Sequence, residues 1–170
     1  MTRTWPEDWE ARKQGDSCFF CTDLSDRSFY SGRTSEALLE RHAIARGHVA
    51  VVFRGRHVAD LGDLTAEELA NYWHDVQHVG RAVSRAFAPC HMNYLLMGNL
   101  APHLHVHVVP RYLDDSAPGM PLPWAPSPVP EDVFERQFTQ LRDLSRAPDR
   151  QFLLHQPAPM VATHEDIDSR

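Results

Sequence analysis

His103-Leu104-His105-Val106-His107-Val108-Val109-Pro110-Arg111 sets three imidazoles at alternate positions of an otherwise apolar run. In a β-strand, positions i, i+2 and i+4 point to one face, roughly 6.5 to 7 Å apart. The three histidines therefore share one surface, and Leu104, Val106 and Val108 turn to the core. One strand histidine is ordinarily a half-exposed pairing residue; three in phase point to chemistry. Imidazole titrates near neutrality and acts as nucleophile, general acid or base, or metal ligand, so the row implies phosphate chemistry or a metal site.

The chain around this strand reads as one α+β domain over 1–146, followed by an extension over 147–170 that turns proline-rich, then acidic, and is expected to be loosely held. Segments 29–30, 37–42 and 48–53 have the content of short strands, with Arg46-Gly47 as the turn before the last, and would form an antiparallel meander. Thr65 and Glu68 form a capping box ahead of Leu69, Tyr72, Trp73, Val76, Val79, Val83 and Phe87, whose spacing predicts a helix over 66–86. Pro89 ends it. Strands follow over 92–97 and 104–109, joined by Gly98-Asn99-Leu100-Ala101-Pro102, a loop expected to approach substrate. Residues 114–130 follow an irregular path with Met120, Leu122 and Trp124 as anchors, and a last helix is expected over 131–144. A short helix is also expected within 5–13.

The 170 residues carry a formal charge of −6. That disfavours a surface for long nucleic-acid backbones and leaves room for a pocket that takes one nucleotide. No run approaches the roughly 18 to 20 apolar residues of a membrane span, and the polar start lacks a secretory h-region, so a soluble cytoplasmic protein is expected. Three cysteines cannot all pair within one chain. Cys18-Phe19-Phe20-Cys21 in a cytoplasmic protein reads as a metal or redox knuckle.

With its flanks, Met97-Gly98-Asn99-Leu100-Ala101-Pro102 before the histidine row, the sequence resembles the histidine triad (HIT) superfamily of nucleotide hydrolases and transferases, in its bacterial form. The resemblance extends over roughly 18–124 and includes the Cys-x-x-Cys pair, Gly47-His48 before an apolar strand, and the basic residues before a histidine in Arg54-Gly55-Arg56-His57 just after that strand. It implies an antiparallel sheet with the long helix packed on it, and a homodimer. It also implies that His105 attacks the α-phosphorus of a nucleotide, that His107 donates to that phosphate, and that a nucleotidyl-histidine forms. The substrates implied are dinucleoside polyphosphates or adenylylated small molecules.

Relatives carry a glutamine where this chain has Asn99; its amide still donates to phosphate, or else serves only the turn. A hydroxyl found next in some relatives is replaced by Leu100. His48 matches a further active-site histidine, or packs at the strand entrance. Glu40 stands where an aspartate meets the ribose hydroxyls in relatives, or is simply an exposed strand glutamate. Arg54 replaces a usual proline. In metal-bearing relatives the ligands match Cys18, Cys21, His57 and His103, a closed Cys2His2 set that would hold a structural zinc. Two other readings stay open: a catalytic metal held by His103, His105 and His107, and a nucleotide sensor without turnover. His74 and His78 read as a solvated helix face, Cys90 as a buried apolar residue, and His42, His91, His155 and His164 carry no motif.

Overall fold

The computed structural model describes residues 5–147. Almost all of the extension expected over 147–170, with His155 and His164, lies outside the described residues. The elements in chain order are α1 (Trp9–Lys13), a single turn at Phe19–Cys21, β1 (Ser28–Ser31), β2 (Ser35–Leu39), β3 (His42–Ala43), β4 (Val49–Phe53), α2 (Ala66–Phe87), β5 (His91–Leu96), β6 (His105–Arg111), β7 (Ser127–Pro128) and α3 (Glu131–Arg146).

Five strands form one antiparallel sheet in the order β1-β2-β4-β6-β5. β1, β2 and β4 make the expected meander; β6 then inserts between β4 and β5, which places the histidine row at the interior of the sheet. The stretch read as one strand over 37–42 divides. Its first part runs in β2, while His42 and Ala43 leave the sheet to pair with Pro128 and Ser127. That pairing also gives the irregular 114–130 segment a fixed far end.

α2 begins as its sequence demands. Thr65 Oγ1 accepts from the Glu68 amide at 3.2 Å, and a Glu68 carboxylate oxygen accepts from the Thr65 amide at 2.8 Å, so two of the orphan donors of the first turn are satisfied. Its apolar stripe of Tyr72, Val76, Val79 and Val83 packs on the sheet face formed by Ala37, Leu39, Val49, Val51, Leu104, Val106 and Val108. α3 adds Phe134 and Leu141 to the same core. Complete burial of a valine or leucine side chain contributes about 1.5 to 3 kcal/mol. The opposite face of the sheet carries a smaller apolar cluster of Leu24, Leu38 and Val52, with Phe20 packed against it, and leaves room beside it for polar groups.

Asp75 ties α2 to the β1–β2 turn. Its buried carboxylate accepts from the Tyr30 hydroxyl at 3.0 Å, the Thr34 amide at 3.0 Å and the Ser35 hydroxyl at 2.9 Å. Three side-chain expectations are corrected. His78 is half-buried rather than solvated, because its Nε2 meets the Ser145 carbonyl at 2.8 Å and its ring stacks on Tyr30. Cys90 is exposed rather than buried, since it precedes the outer strand β5. Met120 is 65% exposed and anchors nothing. The segment is held instead by Arg111, whose guanidinium binds Asp115, Asn93 and the Ala117 carbonyl.

Candidate active site and metal cluster

The face of the sheet opposite α2 carries the functional side chains. Cross-strand pairing aligns Leu38, Ala50, His107 and Leu95 in one row and Glu36, Val52 and His105 in the next. His48 enters just before β4, after a turn in which Gly47 has φ +75°. A Cβ there would lie 2.4 Å from the Phe87 ring, so only glycine fits. Leu104, Val106 and Val108 do face the core, as alternation requires. The imidazole face is buried too: His103, His105 and His107 are all below 10% exposed.

His48, His107 and His105 form one chain of hydrogen bonds whose ends fix every proton. The Ile44 amide can only donate, and it lies 3.5 Å from His48 Nδ1. His48 therefore carries its proton on Nε2 and donates to His107 Nδ1 at 3.0 Å. His107 in turn carries its proton on Nε2 and donates to His105 Nε2 at 3.2 Å. At the far end, His105 Nδ1 donates to the His103 carbonyl at 2.6 Å. The result is a neutral His105 whose Nε2 lone pair points into the site.

Burial keeps these rings neutral. It pushes the pKa of His48 down to about 4 and lowers that of His105. For His107, burial and then the neighbouring His105 and His48 bring it down to about 3. Glu40, at the end of β2, has a carboxylate oxygen 3.9 Å from His107 Nδ1, and burial raises its pKa to about 7. Trp124 stands against this group, its ring 4.8 Å from His107 and 5.7 Å from His48. Sequence reading gave Trp124 only as an anchor, and nothing in its proline-rich surroundings signals what it covers. Asn99 is exposed on its loop, and among the described residues no hydrogen bond joins it to the imidazoles.

His103 leaves the row. Its Nε2 lies 2.7 Å from the Phe53 carbonyl, which fixes the proton there, and its bare Nδ1 lies 3.4 Å from Cys18 Sγ and 3.5 Å from Cys21 Sγ. His57 is set the same way, Nε2 to the Lys13 carbonyl at 3.1 Å and Nδ1 to Cys21 Sγ at 3.4 Å. All four donor atoms lie within 4.8 Å of one another. Zinc bonds of about 2.3 Å to sulfur and about 2.0 Å to nitrogen give a tetrahedral sulfur-to-nitrogen edge of about 3.5 Å, so the spacing fits that ion. Both histidines turn their outer N–H to a carbonyl, as second-sphere support of a ligand requires. Among the described residues no single ligand set contains His103, His105 and His107 together.

A family model described as the HIT domain matches residues 22–114, more than half of the chain. The chain belongs to the HIT family. Among its relatives, the bis(5'-adenosyl)-triphosphatase of Saccharomyces cerevisiae is 30% identical over 94 residues, 52% of this chain and 46% of that protein. The chain thus spans about half the length of that curated relative. A histidine triad protein of Bradyrhizobium japonicum superposes with a TM-score of 0.61 at 25% identity, over 71% of this chain and 92% of that one. A zinc-bound histidine triad family protein of Mycobacterium smegmatis gives 0.60 at 24% identity, over 76% and 96%, and shows a shared fold. No described helix is long and apolar enough to cross a membrane.

Proposed function

We propose that this HIT protein is a nucleotide hydrolase or nucleotidyl transferase that attacks the α-phosphorus of its substrate through His105. The observation that carries the reading is the directed imidazole chain, because it presents an unprotonated Nε2 at neutral pH. That nitrogen forms the bond to phosphorus as the bond to the leaving group breaks. The His107 N–H, released from His105, donates to a phosphate oxygen, and the His103 carbonyl stabilises the charge that develops on the His105 ring. Water or an acceptor then cleaves the nucleotidyl-histidine. Asn99 is assigned to the phosphate, Glu40 to the ribose hydroxyls and His48 to the orientation of His107. The yeast relative's name supports a dinucleoside polyphosphate as substrate. Mass spectrometry after rapid quenching should find a nucleotidyl adduct on His105, and His105→Ala should abolish turnover with nucleotide affinity retained within about tenfold. Wild-type activity in that variant refutes the assignment; nucleotide binding with no turnover in the parent protein makes it a sensor.

We propose further that Cys18, Cys21, His57 and His103 hold a structural zinc. When bound, it would fix the knuckle to the start of β6; with four protein ligands it would leave no position for an activated water. A cytoplasmic setting suits a reduced thiol pair of this kind. The expected homodimer is supported by the outer strand β5, where Tyr94 and Leu96 are exposed, and by Trp73, exposed on α2. Sedimentation of Leu96→Glu tests it, with dissociation to monomers the expected result.

A further inference from the structure

The nucleophile assigned above is held from two sides, by the main-chain oxygen of a residue that faces the cysteine knuckle and by a side chain of the knuckle itself. His105 Nδ1 donates to the main-chain oxygen of His103, the residue whose own Nδ1 faces Cys18 and Cys21. Phe20, immediately before Cys21, lies with its ring 4.9 Å from the ring of His105 and 5.7 Å from that of His103. An imidazole turns freely about its side-chain bonds unless neighbours restrict it. A carbonyl at Nδ1 and an aromatic ring alongside leave one orientation, in which Nε2 faces His107.

The knuckle has its own attachment to the sheet. Arg54, one residue beyond β4, donates to the Phe20 carbonyl and, at 3.0 Å, to the Thr22 carbonyl, the main-chain oxygens of the residues before and after Cys21. Its Nε lies 3.6 Å from a carboxylate oxygen of Glu36 on β2, and that oxygen is buried with no hydrogen-bond partner. Glu36 pairs across the strands with Val52, which pairs with His105. The planar guanidinium can serve two carbonyls and a carboxylate at once, whereas an ammonium is a point charge on a flexible stem.

We propose that Arg54 and Phe20 are positioning residues for the nucleophile: Arg54 fastens the cysteine knuckle to the sheet, and the knuckle seats the Phe20 ring against His105 in its attacking orientation. The inference rests on reading His105 as the nucleophile. A misplacement of about 1 Å at a reacting group can cost on the order of a hundredfold in rate, so these contacts should register in turnover.

The test uses the zinc-loaded full chain with Arg54→Gln, Arg54→Lys and Phe20→Leu. Three quantities are read: kcat and KM on a diadenosine polyphosphate, the rate of zinc release to a colorimetric chelator, and the tautomer of His105 from nitrogen-15 NMR of its ring. Arg54→Gln should release zinc about tenfold faster, as loss of outer-sphere support does, and should lower kcat about tenfold with KM within about twofold. Arg54→Lys should recover part of both, and it carries the comparison if the glutamine variant does not fold. Phe20→Leu should hold zinc like the parent yet lower kcat and mix the His105 tautomers. Unchanged zinc release in Arg54→Gln overturns the clamp. Unchanged kcat with a single tautomer in Phe20→Leu, or a change in KM alone, overturns the seat. If His105→Ala stays active the nucleophile reading fails by itself, while zinc release and the tautomer still judge the two contacts.

Discussion

Replacing Glu40 with glutamine should stabilise the protein, and by an amount that grows with pH. Among the described residues no hydrogen bond reaches the Glu40 carboxyl; the nearby His107 Nδ1, at 3.9 Å, already accepts from His48, and that ring is neutral because its own pKa lies near 3. Burial therefore acts unopposed and raises Glu40 from its ordinary 4.5 to about 7. A raised carboxyl pKa means that the folded state binds the proton more tightly than the unfolded chain. The resulting stability is fully present below the unfolded value and is lost as pH rises through about 7. Between pH 5 and pH 8 the loss amounts to about 2 kcal/mol, which glutamine, uncharged throughout, does not suffer. Thermal melts of parent and variant should nearly coincide at pH 5 and separate by roughly 4 to 8 °C at pH 8, with the variant higher. Zinc contributes equally to both proteins at each pH, so the difference isolates the carboxyl. A melting difference that does not change with pH, or that favours the parent at pH 8, would refute the buried, unpartnered carboxyl. The same variant should bind nucleotide more weakly if Glu40 accepts from the ribose.

Loss of Asp75 leaves the Tyr30 and Ser35 hydroxyls and the Thr34 amide without their acceptor, so Asp75→Ala should cost about 2 to 4 kcal/mol in urea denaturation, and a cost below about 0.5 would remove its role as a tie. Cys18→Ser and His57→Ala should lower zinc content and melting temperature together, while His105→Ala keeps its metal; elemental analysis showing the reverse would move the ion to the triad. Burial keeps His48 and His107 neutral down to about pH 4 and about pH 3, and it also lowers the pKa of His105 from its ordinary value. Accordingly, in the Glu40→Gln background, which removes the carboxyl that titrates near 7, the acid limb of kcat/KM should fall below the ordinary imidazole value of about 6.5, whereas a drop centred near 6.5 would mean ordinary, solvated imidazoles.

Local order decided what could be read from residues in a row. The capping box at Thr65 and Glu68 and the three- and four-residue apolar spacing fix α2 to within a residue of its observed end. The alternation from His103 to Val108 fixes which side chains meet the core, because strand geometry leaves only two faces. Resemblance supplied the partners across the chain, and Cys18, Cys21, His57 and His103 do converge. Alternation alone put His103 with the other two histidines. Tertiary structure turned it away, because the Phe53 carbonyl takes its Nε2 proton and the thiols wait at Nδ1. The division of the stretch over 37–42, the insertion of β6 between β4 and β5, the exposure of Cys90 and the place of Trp124 have the same origin. Each depends on contacts between segments far apart in sequence. Proton positions along the imidazole chain depend on them most: a tautomer is set by the one donor or acceptor that a fold brings to each nitrogen, and neither the Ile44 amide nor the His103 carbonyl carries a side-chain identity that sequence could reveal.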